Sequence, residues 1–529
     1  MVRAFHSRLH SNTNKHMSFE SLRGHCPPWW HVGGCAALLV ITGCGGGGGG
    51  GGSTSIPIAD AQHCAAPRAA GTLDADGRPY GDVQGSVDDE KAWVRAYIDQ
   101  TYLWYQDVRA LSAGTLDANA YATPVTYFGA LKSPTVTASG KPRDQFHFTY
   151  DTPTWIALSR SGQSYGYGFE IALLATKPPR QAIVAFTDPG TPATAANISR
   201  GAQILTVDGV DLVNDGTQAG VDKLNAGLFP DAAGSHTFTI RDLGASSTRT
   251  VTLAAGTQTS TPVQNAKALP APNNQVGYML FNDHIATSEV QLINAINLLK
   301  TAGVTDLVID IRYNGGGYLD IASELAYMVA GPARTNGKIF EQLNFNDQNP
   351  FGLTDAQRTT PFLTVGQDFV KGTTANQPLP TLGLSRVYVL TGSGTCSASE
   401  AIINGLRGAG VTVNQIGTTT CGKPYGFFPQ DNCGTTYFAI QFQGVNQLGF
   451  GDYADGFAPT CTVADDFNHA LGDPAEARLA MALGHRTSGS CVPASSVGMA
   501  KLQAVRVPAV AEPVLVRSPL RENRFYRER

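Results

Sequence analysis

Between residues 88 and 105, Trp93, Tyr97, Ile98, Thr101, Tyr102 and Tyr105 recur at three- and four-residue steps. That period predicts an amphipathic helix. Asp88 or Asp89 would cap it, and it would open a small helical domain over 88–155. From 160 to 256 the period shortens and glycine turns multiply, which predicts short strands. Residues 257–275 are rich in Thr, Pro, Asn and Gln without periodicity and read as a linker. Beyond them the pattern predicts a strand at 276–281, a helix at 287–302 closed by Gly303, a buried strand at 306–312 and a helix at 318–330. A strand at 386–390, a helix at 397–409, a strand at 437–442 and a last helix at 473–485 follow. Alternating strands and helices predict an α/β core over 276–490. Residues 495–529 form a basic, Pro-containing tail with no predicted element.

Composition changes this picture little. Over 529 residues, 42% hydrophobic and 15% charged content describe a multidomain chain able to bury a core. A formal net charge of −4 gives no electrostatic footprint for nucleic acid. The N-terminus is different. Arg3, Arg8, Lys15 and Arg23 precede an apolar run from Cys35 to Ile41. The run is far shorter than the about 20 apolar residues of a spanning helix, so residues 1–44 read as a targeting segment outside the fold. Initiation at Met17 would leave that segment complete. The unbroken tract Gly45 to Gly52 opens a tether and linker over 45–87. With Cys26, Cys35 and Cys44 in the leader, Cys64, Cys396, Cys421, Cys433, Cys461 and Cys491 remain, an even set that suggests disulfides after export. Cys421 and Cys433 flank a turn-rich segment and are the expected local pair. No Cys-x-x-Cys spacing occurs, and the one His-x-x-x-His pair, His6 and His10, falls in the leader, so no metal is expected.

Three segments carry candidate chemistry. Ser397-Ala398-Ser399-Glu400 opens a helix, and Thr420-Cys421-Gly422-Lys423 forms a later turn. Upstream, Asp310-Ile311-Arg312-Tyr313-Asn314-Gly315-Gly316-Gly317 ends a strand in glycines. A hydroxyl with an amine to take its proton is what a Ser-Lys hydrolase needs, and a glycine turn can aim backbone N–H groups at an oxyanion. Each segment also has an ordinary reading. Ser397 to Glu400 is a capping box. Lys423 alone is a solvated lysine with an ordinary pKa of about 10.4, a poor base unless buried among neighbours such as Tyr425, Phe427 and Phe428. The glycines alone make a tight turn. A phosphate loop is excluded, because no Gly-Lys-Ser/Thr follows them.

In this order, the three segments resemble the C-terminal processing (tail-specific) proteases of peptidase family S41, which show Asp-Leu-Arg-x-Asn-x-Gly-Gly, then Ser-Ala-Ser-Glu, then Thr-Phe-Gly-Lys. The resemblance implies a multidomain fold with a crotonase/ClpP-like α/β core. It implies Ser397 as nucleophile rather than Ser399 or Ser393, Lys423 as base, and an oxyanion hole from Gly316 or Gly317 with Ala398. It also implies a small N-terminal helical domain at 88–155. Many members have a glutamine four residues after the lysine to orient it. Phe427 stands there in this chain, so Gln441, Gln443 and Thr420 are the candidates for that role. Gly166-Tyr167-Gly168-Phe169-Glu170-Ile171 resembles the carboxylate-binding loop and strand of a PDZ domain, here spanning 160–256. The alternative is a small β-barrel with ordinary glycine turns. Ile41-Thr42-Gly43-Cys44 resembles a bacterial lipobox. The whole implies a lipid-anchored serine endopeptidase of the bacterial cell envelope, on the periplasmic side of the outer membrane. It would act on protein or peptide substrates with free C-termini, without a cofactor or nucleic acid. A non-catalytic tail-binding lipoprotein is the rival expectation.

Overall fold

The computed structural model describes residue 58, residues 61–230 and 232–493, and the short segment 514–516. The leader with Cys44, the glycine tract and most of the tail lie outside the described residues.

The first helix, α1 (Val87–Thr101), buries Trp93, Val94, Tyr97 and Ile98 on one face, as the apolar period requires. Its cap is Ser86, not Asp88 or Asp89. The Ser86 side chain accepts from Asp89 N–H, and Asp89 accepts from Ser86 N–H in return. The start therefore lies just upstream of the expected aspartates, with Asp89 completing the box. The buried face of α1 packs with Tyr437, Phe438 and Ile440.

Two large sheets follow. The smaller unit consists of β1 (Gln163–Gly166), β2 (Phe169–Ala175), β3 (Gln181–Thr187), β4 (Gln203–Val207), β5 (Gly234–Arg241) and β6 (Arg249–Thr259), with helix α2 (Gln218–Leu228) between β4 and β5. Its order is β2-β3-β4-β5-β6-β1, antiparallel throughout. The other sheet consists of β7 (Val263–Ala268), β8 (Val276–Phe281), β9 (Asp306–Asp310), β10 (Arg386–Thr391), β11 (Thr412–Gly417) and β12 (Cys461–Thr462), in that order. Strands β8 to β12 are parallel, and β7 is antiparallel to β8. The expected linker thus contains a core strand. Val263 to Ala268 carries no hydrophobic period, and backbone pairing along β8 recruits it to the edge.

Strand β8 is buried along its whole length, and so is β9. Such continuous burial is the mark of a parallel sheet covered on both faces. The pleat sends alternate residues to opposite sides. Met279, Phe281, Leu307, Ile309, Val387 and Val389 pack with helices α3 (Ser288–Thr301), α4 (Leu319–Ala330) and α5 (Ala398–Gly408). Tyr278, Leu280, Val308, Tyr388 and Leu390 pack on the other side with α6 (Ala477–Ser488) and with Ala172, Ile183, Ala185 and Phe186 of the antiparallel sheet. That shared cluster joins the two sheets.

Two further expectations change. The run 437–442 is not one strand: Thr435–Phe438 pairs with Phe148–Asp151, whereas Phe442–Val445 pairs with Ile339–Phe345. The chain changes sheets between them. Within the tail, Val514–Val516 forms a strand, β13, along β2.

Candidate functional site

The three candidate segments leave the C-terminal ends of adjacent parallel strands: the glycine turn after β9, the Ser397 elbow after β10 and the Lys423 turn after β11. In open α/β sheets this end is where sites are built.

Asn314 holds the first junction and is fully buried. Its side-chain amide donates to Phe281 O at 2.9 Å, and its Oδ1 accepts from Gly316 N–H at 2.9 Å. Its carbonyl accepts from Cys396 N–H at 3.1 Å and from the Ser399 hydroxyl at 3.1 Å. Two expectations sharpen here. The Ser399 hydroxyl is committed to a backbone carbonyl. The Gly316 N–H is committed to Asn314. Gly317 has φ +138°, and a Cβ there would lie 2.3 Å from His284 O, so no side chain fits.

Ser397 precedes α5 with φ 54° and ψ −106°. Positive φ in a non-glycine residue costs on the order of 1–3 kcal/mol and persists only where the surroundings impose it. The imposing group is Glu400, one turn into the helix and fully buried. Its Oε2 accepts from Ser397 N–H at 2.8 Å and from Lys423 N–H at 2.9 Å. Its Oε1 accepts from Gly422 N–H at 2.9 Å and from the Thr420 hydroxyl at 2.6 Å. The backbone nitrogens of Ser397 and Lys423 thus converge on one oxygen atom. A disulfide between Cys396 and Cys421, with Cα atoms 5.2 Å apart, joins the same two segments covalently.

This bridge corrects the expected Cys421–Cys433 pair. The Cys421 N–H donates to Thr395 O at 3.0 Å, which sets Cys421 beside Cys396. Cys433 sits instead on the turn between Gln430–Asn432 and Thr435–Phe438, where it bonds to Cys64. The third bridge, Cys461–Cys491, ties β12 to the segment just after α6.

Lys423 is 2% exposed and Ser397 6%. The Lys423 Nζ lies 4.3 Å from the centre of the Phe427 ring and 4.5 Å from that of Phe146. Phe427, at the position of the family's glutamine, therefore meets the amine with a ring face. The three candidate orienting groups serve other partners. Gln441 accepts from Phe428 N–H and donates to Tyr97 and Thr101. Gln443 donates to Gly451 O, and Thr420 bonds Glu400 and Phe457 N–H. Sequence reasoning saw Glu400 only as a helix cap. The missed signal is a carboxylate entering a helix whose next residues, Ala401, Ile402 and Ile403, are apolar and buried. A cleft of about 600 Å³ opens beside the bridge, lined by Lys141, Gln145, Ser393, Thr419 and Cys421 among others.

Beneath the glycine turn lies a buried ion cluster. Arg312 donates to Asp310, Asp465 and Glu476. Arg200, from the antiparallel sheet's unit, donates to Asp465 at 2.7 Å and to the Tyr313 hydroxyl at 2.6 Å. Burial works against ionised Asp465, yet Arg312, Arg478 and Arg200 hold its carboxyl well below the ordinary range. The cluster is a second join between the two sheets.

In the smaller unit, Tyr167 and Ile171 are core side chains, packed with Leu224 of α2. The Tyr167 hydroxyl donates to Gly227 O at 2.8 Å. What the Gly166–Phe169 loop can offer a ligand is therefore chiefly backbone. Gly168 has φ +82°, and a Cβ there would meet Thr191 at 2.3 Å. A cavity of about 50 Å³ adjoins this loop, between β2 and the end of α2.

Comparison with known proteins matches residues 275–430 to peptidase family S41. Over 171 residues, 32% of this chain, the sequence is 29% identical to a carboxyl-terminal-processing protease of Picosynechococcus sp., and the match spans 40% of that relative's length. A crystal structure described as an S41 protease from Bacteroides fragilis superposes with a TM-score of 0.56 at 24% identity, covering 78% of this chain and 98% of that one. The photosystem II D1 C-terminal processing protease covers 72% of this chain and 94% of its own, with a TM-score of 0.40 at 21% identity. Glycine turn, serine elbow and lysine turn all fall within the matched residues, and the chain carries a peptidase family S41 domain.

Proposed function

We propose that this chain is a serine endopeptidase working through Ser397 and Lys423, and that it grips protein substrates by their C-terminal tails in a PDZ-like groove. The observation that carries the reading is the shared Glu400 oxygen, which draws the two motifs into one buried site. Neutral Lys423 takes the Ser397 proton, and the alkoxide attacks the peptide carbonyl. Lys423 then gives its proton to the leaving amine, and water hydrolyses the acyl-enzyme. The N–H groups of Gly317 and Ala398 receive the oxyanion, with the N-terminus of α5 adding its dipole. The Phe427 and Phe146 rings flank the amine.

The proposed tail grip rests on the Gly166–Phe169 loop and on β2, whose edge accepts an added strand. The helical segment with α1 and the unit over 160–256 are the proposed accessory domains, and Cys44 is the proposed lipid anchor in the bacterial envelope. Phe427 at the glutamine position also favours the rival reading, a tail-binding protein with an inactive core.

The test incubates a model protein with an apolar C-terminus with wild type, Ser397→Ala and Lys423→Ala, and follows products by mass spectrometry. Both variants keep the wild-type melting curve and lose about 10⁴-fold or more in cleavage rate. Wild-type turnover by either variant overturns the proposal. Absence of cleavage by wild type, with no covalent labelling of Ser397 by an acylating probe, establishes the rival.

A further inference from the structure

Strand β2 has two edges. Strand β3 occupies one, from Phe169 opposite Thr187 to Ala175 opposite Gln181. The other carries three residues of the chain's own tail, β13, antiparallel, with Val514 opposite Leu173, Leu515 opposite Ala172 and Val516 opposite Ile171. Any peptide that extends the antiparallel sheet at β2 must use that same edge.

We propose that Val514–Val516 is an internal ligand of the tail-binding groove, holding the β2 edge until a substrate tail displaces it. The inference rests on reading Gly166 to Ile171 as that groove. Three observations support it. First, direction: as the tail advances from Val514 to Val516, its partners run back from Leu173 to Ile171, toward the Gly166–Phe169 loop. A C-terminus entering the groove would approach the loop the same way. Second, sequence: Val-Leu-Val is an apolar, β-prone triplet, bracketed by Pro513 and Pro519. Proline has no N–H to give a ladder, so the pairing is confined to a few residues and stays exchangeable. Third, chemistry: the chain continues past Val516 into Arg517. The internal strand therefore brings no terminal carboxylate to the loop, whereas a substrate's free C-terminus does. The tail fills the edge and leaves unused the contact that distinguishes a true ligand.

A segment tethered to its site acts at an effective concentration on the order of millimolar. A competitor must overcome that occupancy, and its apparent affinity falls by the fraction of molecules with the edge free.

The test uses the Ser397→Ala protein, so that peptide is bound and not cut. The probe is a fluorescent peptide of residues 507–516 ending in a free carboxylate. Its dissociation constant is measured for the full chain, for a chain ending at Pro493, and for full-length Leu515→Pro. Hydrogen exchange of the β2 amides is followed in each without peptide. Truncation and Leu515→Pro each tighten binding by about tenfold or more, and each speeds exchange along Phe169–Ala175. Equal affinities in all three proteins overturn the inference and leave the groove reading standing. No binding to any of them overturns both.

Discussion

The C-terminal end of the parallel sheet and the β2 edge of the antiparallel one are both places where the chain meets a peptide on the proposed reading, and they are held in opposite ways. At the first, two loops are fixed by one buried carboxylate, one asparagine and one disulfide. At the second, a strand edge is covered by three residues of backbone pairing. Bond-breaking needs groups fixed to within a fraction of an ångström. Recognition of many different tails needs an edge whose hydrogen bonds any sequence can make. On that reading the two demands fall on different sheets, and the sheets are joined through the shared apolar cluster and the Arg200–Asp465 contact.

The largest break in this arrangement is expected at that join. Asp465→Asn takes from Arg200 its buried counter-charge and from Arg312 one of three, at a cost of about 3–5 kcal/mol, read from urea unfolding. Its pH dependence has a definite sign. The folded carboxyl is depressed, so its contribution is complete above the ordinary carboxylate pKa and is lost as pH falls below about 4. Wild type and variant should therefore differ most near neutrality and converge in acid. A gap that persists unchanged to pH 2 would show that Asp465 does not carry it.

A smaller break tests the fixed side alone. Cys396→Ser with Cys421→Ser removes the covalent link, about 3 kcal/mol for a loop of this length. It should lower cleavage while leaving tail-peptide affinity unchanged. Loss of both together would mean that the two regions are not separable. The smallest effect belongs to Phe427. Phe427→Leu keeps the volume near Lys423 and removes a ring face worth about 0.5–2 kcal/mol. The expected result is a several-fold fall in kcat at constant KM, with Phe427→Tyr restoring it.

How much of this could be read beforehand depends on the range over which each feature is encoded. Ser397, Lys423 and the glycine turn are local motifs with local chemistry, and their order along the chain carried the family resemblance. Strand β8 is written in a continuous apolar run and helix α1 in a hydrophobic period. The Val263–Ala268 strand is not, because its place comes from backbone pairing with β8. The six cysteines do pair, but the expected Cys421–Cys433 bridge fails for a related reason. Nearness in sequence favoured Cys421 and Cys433, whereas tertiary contact sets Cys421 beside Cys396 and Cys433 beside Cys64. Glu400 was visible as a cap and invisible as a junction, since the turn it binds lies beyond β11 in the chain.

The Cys64–Cys433 bridge closes most of the polypeptide into a covalent ring. Both sheets' pairing strands from β1 to β11, the serine elbow and the lysine turn all lie on that ring. A single cut anywhere along it, by a neighbouring protease, opens the ring without dividing the molecule. Nicked chains would migrate as two pieces on a gel only after reduction.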